Sequence, residues 1–154
     1  MTRTGQILHA FAFVALAGCA GSRPPETSSS ESVDPRTAVA LPADAQQAVL
    51  EEMRNLLTAI GGALDGAAKN DSAAILAALA PAGSAAAADP ELEALLPDPW
   101  KKLAEQTHGG FDSLSAAVRR GATGAALKDT VMVGLARVTS YCTSCHETFR
   151  LTVR

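Results

Sequence analysis

Cys142, Cys145 and His146 are the residues whose types and spacing indicate the clearest chemistry. They form C-x-x-C-H near the end of a chain of 154 residues, and this is the attachment sequence for c-type haem. On a helix, residues at i and i+3 lie on one face, so two thiols can form thioethers with the two vinyl groups of one haem, and the histidine that follows can bind the iron. We therefore expect one covalent haem c, attached through Cys142 and Cys145, with His146 as the proximal iron ligand.

The same residues have three other uses, which the sequence leaves open. A redox dithiol usually lies at a helix N-terminus, where the helix dipole lowers the thiol pKa, whereas this pair comes at the end of the last expected helix. A zinc site would need a fourth ligand, and beyond residue 18 only Cys19 and His108 remain among the Cys and His residues. A structural disulfide suits an exported chain and predicts a protein without haem.

Four segments with helical periodicity must position these residues. The first carries apolar residues at steps of three and four from Val49 to Leu64, after Pro42 and Asp44. A shorter second helix follows an Asp71 N-cap and ends near Pro81. Residues 81 to 97 give no firm prediction beyond one turn around their leucines.

The third and fourth helices have the clearer patterns. The third is predicted to start with Asp98 as N-cap and Pro99 as first helical residue, and its apolar positions run from Trp100 to Val118. The fourth is predicted from about Ala125 to Phe149, with the following apolar positions on one stripe: Leu127, Val131, Leu135, Val138, Cys142, Cys145 and Phe149. Both cysteines are therefore expected on its buried face.

Composition agrees with an all-helical chain. Hydrophobic residues make up 47 % and aromatic residues only 4 %, which disfavours a β-sandwich or barrel, and 32 alanines favour helix. We predict an all-α fold, an antiparallel four-helix bundle with the haem-attachment helix last. The net charge is −3 and the basic residues are dispersed, so nucleic acid is not expected as a partner.

The N-terminus has the order of an export signal. Arg3 precedes an apolar stretch that is too short for a membrane span, and it ends in L-A-G-C, which resembles the lipobox of bacterial lipoproteins. By that resemblance residues 1 to 18 are a signal peptide and Cys19 carries a lipid anchor on the periplasmic side of the cell envelope. Residues 19 to 46, rich in Ser, Pro and Glu, are predicted to be a disordered tether, and residues 47 to 154 to be the bundle.

The chain end carries a family resemblance. Y-C-T-S-C-H-E-T-F-R at residues 141 to 150, on the last helix of an expected four-helix bundle, resembles the class II c-type cytochromes, which are the cytochrome c′ family and its low-spin relatives. The resemblance covers about residues 45 to 151. It implies that the first helix supplies the residue on the far side of the iron. A methionine there gives a six-coordinate electron carrier, and an apolar side chain gives an open site that binds nitric oxide or carbon monoxide.

Met53 is the candidate for this distal position. M-R-N-L-L at residues 53 to 57 resembles the M-R-x-x-L of the low-spin branch. Met132 lies about 21 Å from His146 along the same predicted helix, so it cannot oppose that histidine across one haem. Met53 can also simply fill the core, in which case Leu57 or Ile60 would wall an open pocket.

Three further side chains are candidates near the haem. Arg54 and Arg150 could each pair with a haem propionate, and the resemblance places an arginine after the motif close to the haem; the alternative for both is a solvated surface charge. His108 is either a second iron ligand or a histidine at the surface or edge of the fold.

The expected function is the transfer of single electrons between redox proteins of the cell envelope, without bond chemistry on a substrate. The alternative is a five-coordinate haem that binds nitric oxide or carbon monoxide. A peroxidase is not expected, because the sequence reveals no distal acid–base pair. The resemblance also leaves open an antiparallel homodimer through the first two helices.

Overall fold

The chain is mostly helical, as expected, in a computed structural model that describes residues 34–85 and 89–154. The predicted signal peptide, Cys19 and most of the predicted tether lie outside the described residues. The elements are β1 (Thr37–Leu41), α1 (Ala43–Lys69), α2 (Ser72–Leu79), a 3-10 turn (Ala80–Ala82), α3 (Pro90–Glu93), α4 (Asp98–Arg119), α5 (Gly124–Thr148) and β2 (Phe149–Val153). Among the described helices, none is long and apolar enough to cross a membrane.

Helices α1 and α2 pack through small residues. A Cβ added at Gly66 would lie 2.7 Å from Cγ1 of Ile75 on α2, so the two backbones are in close contact. The buried face of this half of α1 consists of Ala59, Ala63, Gly66 and Ala67. Leu64, which the periodicity placed on the buried stripe, is 41 % exposed; that prediction is wrong because the close helix approach leaves space only for small side chains. Asp71 caps α2 as predicted and accepts from the Ala74 amide at 2.9 Å.

Helices α4 and α5 bury most of the stripes that their spacing predicted, but Leu103, Cys142 and Cys145 are only half-buried. Trp100, Phe111, Leu114 and Val118 are buried on α4, and Leu127, Val131, Leu135 and Val138 on α5. The start of α4 differs from the prediction. The helix begins at Asp98 itself after Pro97, with no side-chain cap, because the Asp98 carboxylate instead pairs with Nζ of Lys101 at 2.6 Å.

A two-stranded parallel sheet, which was not predicted, joins the N-terminal segment to the chain end. β1 pairs with β2 from Thr37 opposite Phe149 to Leu41 opposite Val153. The predicted end of the tether at residue 46 is therefore wrong, because β1 and the first turn of α1 lie within that range. The physical reason is tertiary, since the side chains that bury Val39 and Leu41 come from α1, α4 and β2. The last helix, Gly124–Thr148, agrees within one residue with the predicted bounds.

The described residues form two cores. The larger lies among α1, α2, α4 and α5. The smaller contains Val39, Leu41, Val49, Trp100 and Phe149, and its margin includes Met53 and Cys145. Strand β1 is thus packed against the segment that carries the C-x-x-C-H motif.

Candidate cofactor site

A cavity of about 890 Å³ opens between α1, α3, α4 and α5. Its volume lies in the range of about 300–1,000 Å³ found for small-molecule and cofactor sites. Both cysteines and His146 line it from α5, and Met53 and Arg54 line it from α1. Apolar side chains from α1, from α4 and from the segment before α4 complete the wall, including Leu56, Leu57, Ile60, Leu96, Trp100 and Leu103. The structure thus gathers most of the predicted site residues around one apolar space.

Helix α5 presents the motif to this cavity. Cys142 and Cys145 are one turn apart, half-buried, and present as free thiols, while His146 is exposed. Burial raises the pKa of both thiols. The charge of the neighbouring Cys142 raises the pKa of Cys145 further. Both cysteines lie in the last two turns of α5, away from the helix N-terminus at which a redox-active dithiol usually occurs.

Met53 lies between two cavities. It lines the large one and also a second cavity of about 260 Å³ beside the β-sheet, which Arg36 and Arg150 line as well. Arg54 is exposed at the wall of the large cavity only. The Nε of Arg150 is buried and has no hydrogen-bond partner, so the two predicted arginines belong to different parts of the site.

His108 differs from its predicted surroundings. It is buried, its Nδ1 lies 2.8 Å from the Ala82 carbonyl oxygen, and its Nε2 lies 3.2 Å from Oε1 of Glu52. The surface position is therefore wrong, and because both ring nitrogens have partners, the geometry does not favour His108 as an iron ligand.

The Glu52–His108 pair is an acid–base pair at the cavity wall, which the sequence did not reveal. Burial lowers the pKa of His108, but the hydrogen bonds to Glu52 and Ala82 and the charges of Glu52 and Asp112 outweigh it, so that pKa is raised. No local spacing signals this pair, because the two residues lie on different helices and only the tertiary fold brings them together.

Arg36 is a second residue that the sequence did not single out. Its Nη2 donates to Oδ2 of Asp34 at 2.6 Å and its Nε to Oδ1 at 3.0 Å, while Nη1 donates to the carbonyl oxygen of His146 at 3.2 Å. The predicted tether contained Arg36, so only the pairing of β1 with β2 brings it to the motif.

A structural zinc site needs four protein ligands. Within residues 34–85 and 89–154, no group of three or more His, Cys, Asp and Glu side chains is arranged to hold a metal ion.

No protein-family model, curated protein or solved structure matches this chain.

Proposed function

We propose that this protein is a haem c electron carrier of the class II cytochrome type. The observation that carries the proposal is the convergence of C-x-x-C-H from α5 and Met53 from α1 on one apolar cavity. When bound there, haem iron supplies reversible one-electron chemistry. In this proposal the protein carries single electrons between redox partners and changes no bond of a substrate.

The donor set fits haem c. Cys142 and Cys145 lie on the cavity side of one helical turn, as two thioether bonds to one porphyrin require, and the next residue is an imidazole. The apolar wall would limit the access of water to a bound haem, and a Met53 thioether would favour its reduced state. The buried, unpartnered Nε of Arg150 is a donor that a haem propionate could satisfy, because an unpaired buried donor is costly.

We also propose that α1, α2, α4 and α5 are arranged as an antiparallel four-helix bundle. Support comes from the packing of α1 on α2, of α4 on α5, of α2 on α4 and of α1 on α5. Such bundles build cofactor sites from side chains on facing helices, as Met53 and the α5 motif are placed here.

A second candidate function is gas binding by a five-coordinate haem. Leu57 and Ile60 line the same cavity as Met53, so an apolar wall is available if Met53 does not bind the iron. The two functions differ in one property, which is whether an external ligand such as carbon monoxide can reach the iron.

Visible spectroscopy of the protein made together with the haem-attachment machinery tests both functions. We expect the wild type to give a low-spin spectrum, a weak far-red sulfur-to-iron band in the oxidised state, and no response to carbon monoxide. Met53→Leu should lose that band and bind carbon monoxide, because the replacement keeps the volume of the side chain but removes the ligand. Met132→Leu is the matched control, since Met132 is an exposed methionine on α5.

The outcomes separate the alternatives. A wild type that binds carbon monoxide, and a Met53→Leu spectrum identical to it, would replace electron transfer by gas binding. A colourless wild type in which Cys142 and Cys145 are joined by a disulfide would support the structural disulfide and refute both haem functions. In the haem protein, replacing both cysteines by serine should abolish the covalent mass addition of one haem.

We further propose that Cys19 anchors the protein to a membrane of the bacterial cell envelope, on its periplasmic side. The support is L-A-G-C after an apolar stretch at the N-terminus. An anchor would raise the effective concentration of the carrier near membrane-bound redox partners. Cys19→Ser should move the protein from the membrane fraction to the soluble fraction and remove incorporation of labelled fatty acid; an unchanged distribution would contradict the anchor.

A further inference from the structure

The carbonyl end of α5 is held by a residue more than a hundred positions earlier in the chain. The last carbonyls of a helix lack intrahelical partners, and at this terminus the Cys145 carbonyl accepts from the Phe149 amide. At Phe149 the chain becomes extended and enters β2, and the His146 carbonyl accepts from Nη1 of Arg36. Arg36 therefore caps the turn that carries the expected iron ligand.

Three charged side chains surround this terminus, and we name them the strand-end charge cluster: Asp34, Arg36 and Arg150. Asp34 and Arg36 form a two-point ion pair, with side chains 38 % and 39 % exposed. Arg36 and Arg150 both line the smaller cavity beside Met53 and His146. One guanidinium of the cluster is thus neutralised by Asp34, and the other has an Nε without a partner.

We propose that Arg36 and Asp34 are positioning residues for the cofactor, with Arg36 holding the His146 turn and the ion pair setting the charge on that side of the iron. This inference rests on the proposed haem function. It makes the segment that leads into β1 a part of the cofactor site, although this segment carries no haem-binding motif.

The charges predict the direction of each effect. Hydrogen bonds from the Arg36 side chain and backbone lower the pKa of Asp34 to about 2, so Asp34 is negatively charged throughout the neutral range. A positive charge near the iron favours the reduced form, and a negative charge favours the oxidised form. Arg36→Gln leaves Asp34 uncompensated and should lower the reduction potential, whereas Asp34→Asn leaves Arg36 uncompensated and should raise it.

The test is a potentiometric titration of the holoprotein, followed by its visible spectrum, for wild type, Arg36→Gln, Asp34→Asn and the double variant. Arg137→Gln is the matched control, because Arg137 is an exposed arginine on the same helix as the motif. Arg36→Lys keeps the charge and should stay close to the wild-type potential. The shifts of the single variants should diminish as ionic strength rises, because both side chains are partly exposed.

Shifts of opposite sign in the two single variants support the inference, and a double variant between them supports it further, because the charges then compensate. Shifts in the same direction, or shifts no larger than that of Arg137→Gln, would overturn it, since loosened packing alone predicts no change of sign. A wild type without haem would refute the proposed function itself, and this result is read from the absence of a haem spectrum before any potential is measured.

Discussion

The Glu52–His108 pair makes the stability of the protein depend on pH in a defined way. The side chain of His108 is buried, and its Nε2 lies 3.2 Å from Oε1 of Glu52. Glu52→Gln keeps the size of the side chain and an acceptor oxygen but removes the charge. A hydrogen bond to a charged group contributes about 1.5–3 kcal/mol, and since Glu52 is 36 % exposed, water reduces this contribution. We expect a loss of about 1 to 1.5 kcal/mol in the free energy of unfolding where His108 is protonated.

The sign of the pH dependence follows from the raised pKa of His108. Its folded-state pKa lies above the ordinary value of 6.5, so the stabilisation is fully present below the unfolded pKa and is lost as pH rises through the folded pKa. The destabilisation by Glu52→Gln should therefore be largest at acidic pH and smaller in alkaline solution.

Urea denaturation of the protein at about pH 5.5 and about pH 9, on either side of the histidine range, measures this difference. Glu51→Gln is the matched control, because Glu51 is the neighbouring, exposed glutamate on α1. Equal losses for Glu52→Gln at the two pH values, or an equal loss in the control, would refute an ion pair between Glu52 and protonated His108.

Two further predictions concern the packing of α1 on α2 and the strand that was not predicted. Gly66→Ala should lower the free energy of unfolding by about 1–3 kcal/mol, because its Cβ would overlap Ile75. Gly61→Ala on the same helix should raise it by up to about 1 kcal/mol, since nothing lies within 4 Å of its Cβ. Thermal unfolding that does not separate the two variants would contradict the close contact of α1 and α2. Leu41→Ala should cost about 2–5 kcal/mol in urea, because Leu41 is fully buried in β1, and an unchanged midpoint would return residues 37 to 41 to the tether.

Features that depend on residues close together in the sequence were easier to predict than features that depend on contacts between distant segments. Helices α4 and α5 were predicted with their buried stripes, because large apolar side chains at steps of three and four carry that information locally. The C-terminal half of α1 was predicted less well, since its contact with α2 is built from alanine and glycine, which also occur on exposed helix faces. The periodicity predicts that Leu64 is buried, but Leu64 is exposed because α2 packs on the face of α1 formed by its small residues.

The sequence by itself determined that two thiols and an imidazole lie within five residues, in C-x-x-C-H at 142–146, and this spacing is the basis of the haem c prediction. Tertiary structure alone decided what surrounds that turn. It joined Arg36 to the His146 carbonyl, joined Glu52 to His108, and placed Met53 and the motif on one cavity. The physical reason is that these contacts connect segments far apart in the chain, and an isolated charge, histidine or methionine has the same local pattern whether it finishes on the surface or beside a cofactor.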